Sequence, residues 1–126
     1  MADMKILVVE DEITLAEALR AKFEKKNYDV RVVSDGGAAL ASTQSFKPDI
    51  ILLDLLLPNK NGFEILQDIK ADVTLKNIPV IILSNLATDE DIKKAISLGA
   101  VDYFVKADHP IQEVLEKVEK QLLKSR

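Results

Sequence analysis

Five short aliphatic runs recur along the chain: "KILVV" (5–9), "YDVRVV" (28–33), "DIILL" (49–53), "PVIIL" (79–83) and "VDYFV" (101–105). After each comes a segment whose apolar residues fall at helical spacing. The runs are short and rich in Val and Ile, which reads as strand. The stripes between them are Leu15, Leu19 and Phe23; then Phe63, Leu66 and Ile69; then Ile92, Ala95 and Ile96, stopped by Gly99; and last Ile111, Val114, Leu115, Val118 and Leu122, opened by Pro110. The segment "GGAALASTQS" (36–45) is ambiguous, since its alanines favour helix and its glycines oppose it.

Strand and helix in strict alternation imply parallel strands joined by crossover helices that cover both faces of the sheet. Runs one, three and four are almost wholly apolar and belong at the centre, whereas "YDVRVV" alternates and belongs at an edge. A doubly wound α/β sandwich of three layers, its five strands in the order 2-1-3-4-5, satisfies both demands. In that order the winding reverses between strands one and three, which opens a crevice at their carboxyl ends.

At 126 residues the chain is expected to form one domain over 1–126, with no output domain following the last helix. No apolar run approaches the roughly 20 residues of a membrane span, and the start has no secretory pattern. The absence of cysteine excludes disulfides and thiolate metal sites and accords with a cytoplasmic location. A net charge of −4 argues against direct nucleic-acid binding, and the single histidine, His109, rules out a multi-histidine metal centre.

The crevice collects acids. Strand one ends in Glu10-Asp11-Glu12 and strand three in Asp54. Carboxylates so close repel unless a cation joins them, and a donor set of hard oxygens selects Mg²⁺, or Mn²⁺ in its place. Strand four ends in Ser84 and strand five in Lys106, a hydroxyl and an ammonium aimed at the same crevice. Glu10, Asp11 and Asp54 would be balanced by a divalent cation and Lys106, leaving focused donors suited to a phosphoryl group. Asp54, expected where the core strand meets solvent, is the candidate nucleophile, since carboxylates form aspartyl-phosphates. The metal, Lys106 and Ser84 would neutralise the phosphoryl oxygens during in-line transfer.

These pieces, "ILVVEDE", "DIILLDLLLPNKNG", "VIILS" and "DYFVK", resemble the receiver domain of bacterial two-component response regulators, and the resemblance spans essentially the whole chain. It implies a flavodoxin-like fold and a signalling switch rather than an enzyme. Asp54 would accept a phosphoryl group from a sensor histidine kinase or phosphotransfer protein. Asp11 and Asp54 would ligate Mg²⁺ directly, with the backbone carbonyl of Leu56 as third ligand and Glu10 acting through water. Ser84 and Lys106 would bind the phosphoryl oxygens, and Tyr103 would be the aromatic switch. The face of helix four, strand five and helix five would read out a shift between pre-existing states to a downstream protein. Monomer and phosphorylation-dependent dimer are both compatible with this.

The chain also departs from that pattern. Ala107 follows the lysine where the family usually has proline, so the Lys106–Ala107 bond is expected to be trans, or cis at a cost of about 3 kcal/mol. Asn85 stands where a smaller residue is common. Leu56 and Leu86 flank the site where fast-cycling relatives carry polar groups, which predicts a long-lived phosphorylated state.

Plainer roles exist for several of these residues. Glu10, Asp11 and Glu12 would serve as helix-start acids, Ser84 as a strand-end cap, Lys106 as a solvated loop residue, Tyr103 as a packed aromatic and His109 as a cap of the last helix. Other functions are a Mg²⁺-dependent phosphatase acting through an aspartyl-phosphate, a flavin-binding module, a receiver that takes no phosphate, and the receiver piece of a DNA-binding regulator. The phosphatase would want an aspartate at the position of Leu56 and a cap insertion. A flavin module would want a Ser/Thr/Gly-rich loop where this chain has acids.

Overall fold

The computed structural model describes residues 3–124. The elements are β1 (Lys5–Val9), α1 (Ile13–Lys25), β2 (Asp29–Val33), α2 (Gly36–Phe46), β3 (Ile50–Leu53), α3 (Gly62–Ala71), β4 (Val80–Ser84), α4 (Asp89–Ser97), β5 (Asp102–Val105) and α5 (Ile111–Lys124). All strand pairs are parallel and the order is β2-β1-β3-β4-β5. Most strands begin one residue inside the apolar run that predicts them, and β4 runs on through Ser84.

The central runs are apolar throughout because period-two alternation sends successive residues into two cores. Leu7, Val9, Ile51, Leu53, Val80 and Ile82 face the core shared with α2, α3 and α4. Ile6, Val8, Ile50, Leu52, Ile81 and Leu83 face the one shared with α1 and α5. Each of these side chains is buried, which stabilises the sheet by roughly 1.5–3 kcal/mol per residue before entropy is counted. β2 is an edge strand, and its alternation matches its half-exposed burial.

One helix differs from expectation and the weakest of the expected helices is present. The α4 stripe is narrower than its spacing implies: Ala95 is buried, but Ile96 is 46% exposed. Gly99 does end that turn, at φ +112°, a backbone region that favours glycine. The ambiguous segment 36–45 is helix α2, capped by the Asp35 carboxylate on the Gly37 N–H. Its first glycine meets a tertiary need, since a Cβ on Gly36 would lie 1.8 Å from the Lys60 carbonyl oxygen.

Candidate functional site

Sheet register builds the site. Val9 pairs with both Val33 and Leu53, so β1 and β3 end level. The ladder continues one residue further, with the Glu10 N–H donating to Val33 O at 2.9 Å and the Asp54 N–H to Val9 O at 3.0 Å. Glu10 and Asp54 are thereby fixed side by side past the strand tips. On the other flank Ser84 pairs with Val105, and the Lys106 N–H donates to Ser84 O at 3.0 Å. Ser84 and Lys106 thus face the same end of the sheet as the acids.

Lys106 lies at the centre of the cluster. Its Nζ is 2.8 Å from Glu10 Oε1, 2.9 Å from Asp54 Oδ2 and 3.1 Å from Glu12 Oε2. Asp54 is past the end of β3 as expected, but it is not at the solvent boundary: it is 3% exposed, as is Glu10. Lys106 bonds to both carboxylates there. The other oxygen of Asp54 accepts the Leu56 N–H at 3.1 Å. Each oxygen retains a second lone-pair direction, so neither bond consumes the carboxylate.

Burial pushes the Glu10 carboxyl up to about 7, against the hydrogen bonds from Lys106 and the Glu12 N–H that lower it. Burial also pulls on the Lys106 ammonium, but its bonds to Glu10 and Asp54 outweigh that and hold its pKa above the ordinary lysine value. Glu10, Glu12 and Asp54 all bond to Lys106, so the cluster contains more acid than its single lysine neutralises.

That surplus suits a cation. One oxygen each of Glu10, Asp11 and Asp54 lie within 4.8 Å of one another, and Asp11 is exposed to water. Three hard oxygens at a partly open mouth form a donor set for a divalent ion that keeps some of its water. The site therefore has the composition to hold a metal.

Glu12 has a role its sequence context did not reveal. It occupies the N-cap position of α1, yet its side chain caps no backbone N–H and pairs with Lys106 instead. The reading of these acids as helix-start residues fails for it. Ser84 is fully buried, and its Oγ accepts the Leu86 N–H at 3.4 Å, a long bond. Leu56 is 51% exposed and Leu86 half-buried, beside Asp54 and Ser84 respectively. Asn85 is exposed.

Tyr103 is half-buried against the α2–α4 core, and its hydroxyl donates to the Leu86 carbonyl at 2.5 Å. Burial, then the Asp91 and Asp54 carboxylates, push its pKa to about 12, so it remains a donor. This ties β5 to the β4–α4 loop directly above Ser84. The Lys106–Ala107 bond is trans, as is every peptide bond described. His109 meets Glu113 at 2.6 Å and lies edge-on to Phe104, just before the start of α5.

A family model for the response regulator receiver domain matches residues 6–119. The response regulator ArlR of Staphylococcus saprophyticus is 40% identical over 118 residues, covering 94% of this chain and 52% of ArlR. Among solved structures, the phosphorylated cyanobacterial phytochrome response regulator RcpA superposes with TM-score 0.86 at 32% identity, covering 99% of this chain and 97% of RcpA. The Mn²⁺-bound form of response regulator Rcp1 superposes with TM-score 0.74 at 30% identity, covering 94% and 88%. The chain spans about half the length of the curated relatives it matches.

Proposed function

The chain belongs to the response regulator receiver-domain family, a phosphoacceptor signalling switch of two-component systems, and from that premise we propose that Asp54 is its phosphoacceptor. The observation that carries this reading is the convergence of Glu10, Asp11 and Asp54 with Lys106 at one end of the sheet. A carboxylate oxygen of Asp54 attacks phosphorus in line, and the bond from phosphorus to the donor's imidazole nitrogen breaks. The imidazole, carrying a proton on its distal nitrogen, takes the bonding pair and leaves neutral, and Asp54 becomes a mixed anhydride. Lys106, already 2.9 Å from Asp54 Oδ2, donates to a phosphoryl oxygen, and the Ser84 hydroxyl donates to another.

Glu10, Asp11, Asp54 and the Leu56 carbonyl would hold the metal, which we take to be Mg²⁺, with Mn²⁺ able to replace it. Bound there, it would supply charge neutralisation for the phosphoryl oxygens. That the similar response regulator Rcp1 has an Mn²⁺-bound form supports a divalent-ion reading. Incubating the wild-type chain with a small phosphodonor tests the reading. Intact mass should show one added phosphoryl group with Mg²⁺ and none with EDTA; an unmodified chain at excess donor and Mg²⁺ would sink it.

Readout follows from Tyr103. Engagement of Ser84 by phosphate would disturb the loop whose Leu86 carbonyl holds the tyrosine hydroxyl, and so bias the α4–β5–α5 face. The donor would be a sensor histidine kinase or phosphotransfer protein, the recipient a downstream protein, and the setting the cytoplasm. Among the described residues no helix is long and apolar enough to cross a membrane. We take these residues as one receiver domain, in line with the family match over residues 6–119. The half-length match to relatives such as the DNA-binding response regulator MtrA supports a second reading, in which the chain is the receiver part of a longer regulator.

The lifetime of the phosphorylated state is a separate expectation. Leu56 and Leu86 follow Asp54 and Ser84 by two residues, and an aliphatic side chain cannot hydrogen-bond a water for attack on phosphorus. Replacing both with polar residues (Leu56→Asn with Leu86→Gln) should speed loss of the phosphoryl group by about tenfold, less than the roughly hundredfold or more of a fully positioned acid–base group. Decay followed by intact mass checks this, and an unchanged half-life would remove the leucines from the account.

A further inference from the structure

The loop that carries Asp54 into α3 is fastened at two places. At its far end the Gly62 N–H donates to Leu55 O at 3.0 Å, and a Cβ on Gly62 would lie 2.4 Å from Asp54 O. Backbone packs on backbone there, and only glycine permits it. The second fastening is at mid-loop and comes from another element, the start of α2. The Gly36 N–H donates to Pro58 O at 3.1 Å. Asp35 uses both carboxylate oxygens: Oδ1 accepts the Gly37 N–H at 2.7 Å as the helix cap, and Oδ2 accepts Asn59 Nδ2 at 2.8 Å. Asn59 itself has φ +70°, a left-handed conformation that asparagine tolerates better than most residues.

Between these fastenings lies Leu56, whose N–H holds one oxygen of Asp54 and whose carbonyl is the expected third metal ligand. The geometry points to the Asp35–Asn59 pair as a positioning strut for the divalent-cation site. By anchoring residues 58–60 to the α2 N-terminus, it sets where the preceding loop backbone can sit. Neither residue touches the cation; the strut acts through the loop. The inference rests on the metal reading above and deepens it. Partners bonded directly to metal ligands typically change affinity by about ten- to a hundredfold when removed, and a strut one step further out should change it less.

Two variants cut the strut without removing what else each residue does. Asn59→Gly keeps a residue suited to positive φ and deletes the donor. Asp35→Ser keeps a good helix cap but is too short to reach Asn59. Asp35→Asn is the rescue, since a flipped Asn59 restores an amide–amide bond while the cap is retained. Mn²⁺ binding, read from the EPR signal of the free ion, should weaken about three- to tenfold in Asn59→Gly and in Asp35→Ser. It should weaken no further in the double variant and return toward wild type in Asp35→Asn.

The thermal midpoint of the metal-free Asn59→Gly chain should hardly move. In phosphodonor assays the half-saturating Mg²⁺ concentration should rise by the same factor, with the rate at saturating Mg²⁺ unchanged. Wild-type affinity in both single variants, or losses that multiply in the double, would overturn the strut. A wild-type chain that binds no Mn²⁺ would overturn the metal reading and the strut together.

Discussion

Asp54→Asn is expected to take up no phosphoryl group and yet to unfold no more easily than wild type. The first half follows from chemistry: an amide oxygen is a poor nucleophile and cannot form the mixed anhydride. The second follows from the charge around it. Glu10, Asp11, Glu12 and Asp54 crowd the strand tips, and Lys106 is the cation bonded to three of them. Removing one negative charge relieves repulsion at a site where Glu10 and Asp54 are almost fully buried. Against that, an amide accepts through one oxygen and must give up either Lys106 or the Leu56 N–H, at a cost of about 1 kcal/mol. The two effects leave a metal-free variant as stable as wild type or more so, by up to about 1 kcal/mol. Urea unfolding in EDTA measures this. Added Mg²⁺ should raise the wild-type midpoint more than that of the variant, because one ligand is missing. A phosphoryl adduct on the Asp54→Asn chain would refute the assignment outright.

The sheet was legible in the sequence because its central strands are buried on both faces. That condition writes itself as an unbroken aliphatic run, and the end of each run marks a strand tip. Glu10, Asp54, Ser84 and Lys106 were found in this way, since each is the residue that ends or follows a run. What could not be read is what lies above a strand tip. Asp54 is buried and bonded to Lys106, which is far away along the chain, so no local pattern reports the contact. Glu12 looked like a helix-start acid because Lys106 competes for it only in three dimensions.

The same division runs through the helices. Spacing placed Ile92, Ala95 and Ile96 on one face, but α4 packs along a seam narrow enough to leave Ile96 outside. The glycines at the start of α2 argued against helix on propensity, whereas Gly36 is required by the close approach of Lys60. Asp35 is the cap of α2 and Asn59 lies in the loop before α3. They belong to no periodic pattern, and only the fold brings them to 2.8 Å.

Lys106→Met should slow phosphoryl uptake by roughly a hundredfold or more, as expected for loss of one preorganised donor to a developing charge. It should also destabilise the metal-free chain, which distinguishes it from Asp54→Asn. The Lys106 side chain is 10% exposed and bonds two carboxylates that are each 3% exposed. Removing one partner of a buried pair costs about 3–5 kcal/mol when the other cannot relax. Here Glu12 is exposed and Glu10 can take up a proton, so a loss of about 2–3 kcal/mol at pH 8 is the expectation. The pH dependence has a definite sign. Lys106 has its pKa raised in the folded state, so its contribution is complete below the ordinary value of 10.5 and constant between pH 5 and 8. Variation in that window comes from Glu10, whose folded pKa of about 7 exceeds its ordinary 4.5. The folded state therefore holds the proton more tightly, and stability falls as pH rises from about 4.5 through 7. Without Lys106 to accept its negative charge, Glu10 is penalised more for ionising, so the gap between Lys106→Met and wild type should widen from pH 5 to pH 8. Urea unfolding at the two pH values, in EDTA and then in Mg²⁺, reads this directly. A gap that stayed constant with pH would mean that Glu10 and Lys106 are not coupled as their 2.8 Å contact implies.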